Sequence, residues 1–430
     1  MKGAPVRRRV AVTGMGVVSP LGDSAQAAFD AAAAGRSGVA LLSTAFAHRL
    51  TSPITAAAPF DPLAHFEPRQ FRMLDRVSQF ALVAAKQAMA HARCIDVDGR
   101  RAHQAELCGV FVGTGMGGTH TIDDGYQTLY GEDSDRIKPF TVLMGMYNAP
   151  AAWIGIEHGL LGPNLTYTTA CSSGAVAIGE AWLRVSSGSL DMAVAGGTDA
   201  PLSFGSLKAW EALHTLASVD AAQPSASCKP FSKNRTGMVL GEGAAMLVLE
   251  SWDAAVARGA FICGEVLGYG LSTDAGHITR PSLQGQANAM HSALQSAGLE
   301  ACDIDAINAH GTGTAANDAT ETAAIRCVFG AHAQQLSISA TKALHGHMLG
   351  ATGALECVLS LMAMQHGVAL PTMHLDVADP DCDLDYVPRA SRRGVAVRTM
   401  LSNAFAFGGT NAVLALRYGA SRVLQNAASE

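Results

Sequence analysis

Residues able to do chemistry gather at four places in this 430-residue chain. The first is Cys171, inside the run TYTTACSSGAVAIG (166–179). Residues 165–169 are rich in β-branched and aromatic side chains and predict a strand. Small residues follow, then a helical pattern. A cysteine at such a turn has its sulfur near a helix N-terminus, where unpaired N–H groups and the macrodipole favour thiolate over thiol. Ser172, Ser173 and Gly174 have little bulk, so a substrate could approach closely. That is a nucleophile's environment. Standing alone, Cys171 would read as a small buried hydrophobe, the usual fate of a free cysteine.

It does not stand alone. His310 opens HGTGT (310–314), with Asn317, Asp318 and Glu321 behind it. Lys342 and His347 lie in TKALHGHMLGATGALE (341–356). The fourth segment is LSNAFAFGGTN (401–411). A single histidine is more often a satisfied structural residue than a catalyst. His345 and His347 could be read as a metal pair, but no carboxylate or cysteine stands at matching spacing, which ranks metal low. Lys342 alone could be a surface lysine or a Schiff-base amine. Together the segments offer a nucleophile, two histidines and a lysine.

The elements that must position them alternate. Strands are predicted at 9–13, 107–112, 191–195, 243–250, 262–268, 304–309, 336–340, 394–404 and 411–417. Helices are predicted at 24–34, 69–93, 251–258, 283–297, 318–329 and 347–365. This is an α/β pattern. Polar residues and glycines sit just past the carboxyl ends of apolar strands, where α/β sheets build ligand sites. Two glycine runs are weaker signals. GMG at 14–16 lacks a dinucleotide fingerprint, because Ser19 and Pro20 occupy the place of the third glycine and the helix; a tight turn after the first strand is expected there. GTGMGG at 113–118 lacks the spacing and lysine of a P-loop.

Composition bounds the function. The chain is 49% hydrophobic and 15% charged, with 45 glycines, which fits a well-buried α/β protein. A formal net charge of −6 argues against a nucleic-acid surface. The longest apolar stretch, 348–364, contains Glu356 and reads as a buried helix too short to span a bilayer. No secretory leader is recognised, and nine scattered cysteines without C-x-x-C spacing fit a reducing, cytoplasmic setting. No internal repeat is visible. A boundary is expected at the turn 258–260, dividing the chain into 1–258 and 259–430.

ACSSG, HGTGT with its following acids, TKALHGHMLGATGALE and SNAFAFGGTN, in this order, resemble the elongating β-ketoacyl-acyl carrier protein synthases, condensing enzymes of the thiolase superfamily. VAVTGMGVVSPLG (10–22), KPFSKNRTGMVLGEGAAMLVLE (229–250) and TDAGHITRP (273–281) extend the match over nearly the whole chain. The resemblance implies a five-layer α-β-α-β-α sandwich of two similar halves, working as a homodimer. It implies that Cys171 takes the acyl group from an acyl carrier protein, with backbone N–H groups of Cys171 and Phe407 as oxyanion hole. Malonyl thioester then loses CO2, its enolate oxygen held by His310 and His347. Lys342 holds charge nearby, and Glu321, with Asp318, anchors the polar network. Thr312 and Thr314 bind the phosphopantetheine arm that arrives on the carrier protein, so no resident cofactor is expected. Met116 and Phe405 lie against the substrate, with Met116 limiting acyl-pocket depth. Arg69 and Arg72, three apart on one helical face, dock the carrier protein. Asn308, Glu356, Ser402 and Asn403 match positions that hold a monovalent cation, Na+ or K+; a hydrogen-bonded polar cluster is the alternative.

Departures from the family pattern leave the pathway open between fatty-acid and polyketide or polyene assembly. The nucleophile motif is CSSG, where fatty-acid enzymes more often show CATG. Ala406 replaces a usual glycine, and its methyl group restricts the loop bearing Phe407. A non-elongating thiolase-like acyltransferase would carry a second cysteine near the C-terminus, and none follows Cys382. A chain-length-setting partner subunit would lack the nucleophile.

Overall fold

The computed structural model describes residues 7–95, 99 and 101–419. Ten strands make one hydrogen-bonded sheet. They are β1 (Val10–Val18), β2 (Cys108–Gly113), β3 (Asn164–Tyr167), β4 (Met192–Asp199), β5 (Gly243–Ser251), β6 (Gly264–Thr273), β7 (Ala306–Asn308), β8 (Ser337–Ser339), β9 (Thr399–Phe405) and β10 (Thr410–Arg417). Across the sheet the order is β8-β7-β9-β10-β6-β1-β5-β4-β2-β3. The first five strands and the last five each follow the order 3-2-4-5-1. The pairing senses also match: in each set two pairs are parallel and two antiparallel, at the same places. The repeat is one of topology, which explains why no residue pattern reveals it.

The helices that matter for the site are α1 (Ala25–Ala33), α2 (Arg76–Ala92), α3 (Ala149–His158), α4 (Ser173–Ser186), α5 (Phe204–Ala212), α6 (Leu283–Ala297), α7 (Ala315–Phe329) and α8 (Thr352–His366). β1 and β6 share a narrow seam, Val10–Val12 against Val266–Gly264. There the sheet turns, and its two five-stranded sections enclose α4 and α8, which pack on both. α2 and α3 cover the outer face of the first section, α6 and α7 that of the second. The result is the expected α-β-α-β-α sandwich, with one apolar core in the middle layer and one under each outer layer. Every residue of α8 from Thr352 to Met364 is buried, as a central helix requires.

Glycines set the spacing of this middle layer. A Cβ on Gly174 of α4 would sit 2.5 Å from the carbonyl oxygen of Gly350, just before α8. One on Gly197 of β4 would sit 2.2 Å from the same oxygen. Bare backbone at these points lets the starts of the two helices approach.

Four local expectations change. Gly14 and Gly16 do not turn the chain; they lie inside β1, past a bulge between Val12 and Gly14. A Cβ on either would come within about 2 Å of a carbonyl of α2, 2.1 Å for Gly14 and 2.0 Å for Gly16, so the glycines serve helix–sheet contact. The helix expected over 69–93 is broken. A four-residue helix, Pro68–Phe71, ends at Arg72, and α2 starts afresh behind Asp75, whose carboxylate caps Val77 and also accepts the Thr121 N–H. The helix expected from 347 begins only at Thr352, after the separate turn Leu349–Ala351. The strand expected over 394–404 starts at Thr399. No helix of the described residues is long and apolar enough to cross a membrane.

Candidate active site

β3 runs into a tight turn in which Ala170 adopts φ +50°. Cys171 occupies the single 3-10 turn Ala170–Ser172, and α4 follows at once. The serines beside it brace this turn. Ser173 Oγ donates to the Ala170 carbonyl at 2.7 Å and accepts the Thr169 N–H at 2.9 Å; Ser172 Oγ donates to the Thr169 carbonyl at 2.9 Å. Both serines are wholly buried, so they hold the elbow rather than merely leaving room.

Cys171 reaches the end of a cavity of about 180 Å³, lined also by His310, His347, Thr312, Thr314, Phe405 and Phe407. Cys171 Sγ and one ring nitrogen from each histidine lie within 4.8 Å of one another, all buried. The imidazoles meet edge-on, centroids 5.6 Å apart at 82°, and Phe405 stands edge-on to His310 at 5.9 Å. Burial, then the charge of Lys342, pushes both histidines well below the usual imidazole range, so both are neutral at pH 7. The thiol goes against expectation. Burial pushes it up to about 11; Lys342 and the backbone N–H groups of Phe407 and Cys171 itself pull the other way without prevailing. Helix position favours thiolate, but desolvation in the folded chain outweighs it.

His310 follows β7 in a turn that depends on two acids of α7. Glu321 accepts the N–H groups of His310 and Gly311, both at 2.8 Å, and the side-chain amides of Asn403 and Asn317 at 3.1 and 3.3 Å. Asp318 accepts the Thr312, Gly313 and Phe231 N–H groups. Gly311 and Gly313 supply the positive φ values this loop needs, +39° and +78°. The acids therefore act on the loop and not in the cavity. Burial raises both carboxyls, Asp318 to about 6.

Lys342 lies beneath the cavity, fully buried. Its Nζ donates to the His310 carbonyl and, at 2.7 Å, to Glu356 Oε1. It is therefore no surface lysine, and it does not line the cavity. His347 is clamped through its backbone, its N–H donating to the Val239 carbonyl and its carbonyl accepting the Gly241 N–H. Phe407 is half-buried and stacks on Trp210 of α5, centroids 6.1 Å apart.

The remaining expected residues stand elsewhere. Met116 does not line the cavity; it packs half-buried with Leu202, Leu207 and Leu349 in a satellite cluster. Arg69 and Arg72 are exposed on the rim of a separate groove of about 900 Å³ shared with Lys138, Phe71, Phe140 and Met144. They do not share one long helical face, because Arg72 already lies past the end of its short helix. Asn308, Glu356, Ser402 and Asn403 are all buried; Glu356 accepts from Lys342, and Asn403 donates to Glu321. Asn308 Oδ1, Glu356 Oε2 and Asn403 Oδ1 have no protein hydrogen-bond partner. Three orphaned buried oxygens suit a hard monovalent cation.

Sequence reading missed three residues. Asp199, at the end of β4, accepts the N–H groups of Gly115, Met116 and Gly350 and the Thr114 hydroxyl, tying the two halves beside Cys171. Its place past Gly196–Gly197 at a strand's carboxyl end was the available signal. Arg235 donates to the Thr314 and Ala315 carbonyls and pairs with Asp379 behind the His310 loop. Thr352 Oγ1 lies 3.0 Å from His347 Nδ1.

Comparison with known proteins agrees with this fold. Residues 7–255 match the model of the β-ketoacyl synthase N-terminal domain, and residues 263–376 that of the C-terminal domain. The chain is 44% identical to Nodulation protein E of Rhizobium meliloti strain 1021 over 410 residues, 95% of this chain and 99% of that one. It is 36% identical to the 3-oxoacyl-[acyl-carrier-protein] synthase 2 of Staphylococcus aureus strain COL over 413 residues, 95% and 98% of the two chains. A solved ketosynthase, bound to a hexaketide and in complex with its type II polyketide acyl carrier protein, superposes with a TM-score of 0.88 at 29% identity, covering 96% of this chain and all of that one. This chain belongs to the β-ketoacyl synthase family of acyl-transferring condensing enzymes.

Proposed function

We propose that the chain is an elongating β-ketoacyl-acyl carrier protein synthase of fatty-acid or polyketide assembly. The observation that carries the reading is the buried set of one thiol and two neutral imidazoles within 4.8 Å. Cys171 attacks the acyl thioester, with the N–H groups of Cys171 and Phe407 beside the developing oxyanion. The carrier thiol leaves with the proton that the cysteine gives up. Malonyl thioester enters along Thr312 and Thr314 and loses CO2, and its electron pair becomes an enolate. Neutral His310 and His347 donate hydrogen bonds to the enolate oxygen, an acceptor that a neutral N–H serves well. The enolate carbon attacks acyl-Cys171, giving a chain two carbons longer and expelling the cysteine as thiolate, which takes a proton from water to restore the resting thiol. Lys342, fixed against the His310 carbonyl, keeps a positive charge beside these steps.

No resident cofactor enters this chemistry. The orphaned oxygens of Asn308, Glu356 and Asn403 favour a structural Na+ or K+ over a closed polar cluster. The repeated strand order and the ends of the two family matches, at 255 and 263, favour the division 1–258 and 259–430. A homodimer is favoured by the free edge of β3, where Asn164 and Leu165 are exposed beside the exposed apolar side chains of Ile156 and Leu161. The carrier protein docks at the Arg69–Arg72 groove, and the setting is cytoplasmic. Met116 affects chain length only if the satellite cluster opens to the acyl group. The test is intact-mass detection of acyl-Cys171 with a panel of acyl-carrier donors, followed by malonyl-carrier addition. A mass gain retained in Cys171→Ala, or no two-carbon-longer product from the parent, removes the reading.

A further inference from the structure

A neutral imidazole carries one N–H, on either of two nitrogens, and its neighbours decide which. His347 is fully buried and its backbone is clamped on both sides by the segment around Leu240. Its Nε2 has no partner among the protein groups, and the ring belongs to the close trio with Cys171 and His310. Its Nδ1 meets the hydroxyl of Thr352, the first residue of α8, at 3.0 Å. Thr352 is itself buried, and among the described residues His347 Nδ1 is the only hydrogen-bond partner its hydroxyl has. That single contact settles the direction of the bond. If Nδ1–H donated to Oγ1, the hydroxyl hydrogen would be left unpaired in a buried site, whereas Nε2 lacks a protein partner in either tautomer. If the hydroxyl donates to Nδ1, its hydrogen is satisfied and the ring hydrogen stands on Nε2.

We infer that Thr352 is a positioning residue that fixes His347 as its Nε2–H tautomer by donating its hydroxyl hydrogen to Nδ1. The donor that the proposed enolate needs is then set before substrate arrives. This consequence for rate rests on the role proposed above for His347; the tautomer itself does not.

The test uses the full chain labelled with ¹⁵N-histidine. Two-bond ¹H–¹⁵N correlation spectra give the protonated nitrogen of each ring, and His347→Gln identifies the His347 signal by its loss. The parent is expected to show protonated Nε2 and bare Nδ1. Thr352→Val removes the hydroxyl at nearly constant volume and should populate the other tautomer; Thr352→Ser should restore the parental pattern. In parallel, malonyl-thioester decarboxylation should fall on the order of tenfold in Thr352→Val and recover in Thr352→Ser, while acylation of Cys171 stays within about twofold of the parent. A protonated Nδ1 in the parent overturns the inference, and so does a Thr352→Val spectrum that keeps the Nε2–H pattern. A tautomer shift without loss of decarboxylation supports Thr352 as the tautomer-setting group and removes His347 from the enolate step. If Thr352→Val does not fold, the parent and Thr352→Ser spectra decide.

Discussion

The thiol of Cys171 offers a quantitative test of how burial and helix position compete. With the thiol pushed up to about 11, four pH units separate it from neutrality, and only about one molecule in 10⁴ carries thiolate at pH 7. An unperturbed cysteine near 8.5 would carry about 3%. Alkylation by iodoacetamide, which needs the thiolate, should therefore be on the order of 300-fold slower at Cys171 than at a free thiol of equal access. The sign is fixed by the raised value: below 11 the protonated form dominates, so the rate should climb tenfold per unit from pH 7 to pH 10 without a plateau. Lys342 is the largest influence pulling the thiol down. Lys342→Met should push it further up and slow alkylation at pH 9 by roughly 3- to 10-fold. The assay is peptide mass spectrometry of time points across pH, with exposed Cys302 and Cys327 as internal references. A plateau below pH 8 would refute the reasoning and show that the helix terminus outweighs desolvation after all.

Glu321→Gln places an amide NH₂ against two N–H donors whichever way it turns, because each carboxylate oxygen accepts two. It should cost about 2–4 kcal/mol, read as a lower denaturant midpoint at unchanged slope, and condensation should fall with it; parental stability would contradict the four-donor cradle. Gly197→Ala drives a Cβ to 2.2 Å from the Gly350 carbonyl, so about 1–3 kcal/mol of stability and most activity should go, as thermal melting and turnover would report. Leu165→Asp charges the free edge of β3 and should yield monomers by sedimentation; an unchanged dimer would place the interface elsewhere.

Much of this was legible in the residues. Apolar runs ending in glycines and polar groups announce the strands after which Cys171, His310 and Phe407 stand, because such runs cannot be solvated and such ends cannot be packed. What failed depends on contacts between distant elements. Gly14 and Gly16 look like a turn until α2 lies across them. Asp75 breaks a continuous amphipathic pattern because its carboxylate is shared with Thr121, far along the chain. Cys171 looks ionised because its helix is local and its burial is not. Met116 follows a glycine turn like the site residues, yet packs into a neighbouring cluster. Asp199 and Thr352 are ordinary polar residues in sequence; only the approach of the two halves gives them partners.

That approach has a consequence for the reaction. Cys171 starts the helix after the third strand of the first set, and His347 precedes the helix after the third strand of the second. Cys171 and His347 thus occupy the same structural address, once in each half. No direct bond ties them. Their separation is gauged by how closely bare backbone at Gly174, Gly197 and Gly350 can stack. The working gap of the site is a thickness, cut by omitting side chains, and a single methyl group at any of the three would act as a shim.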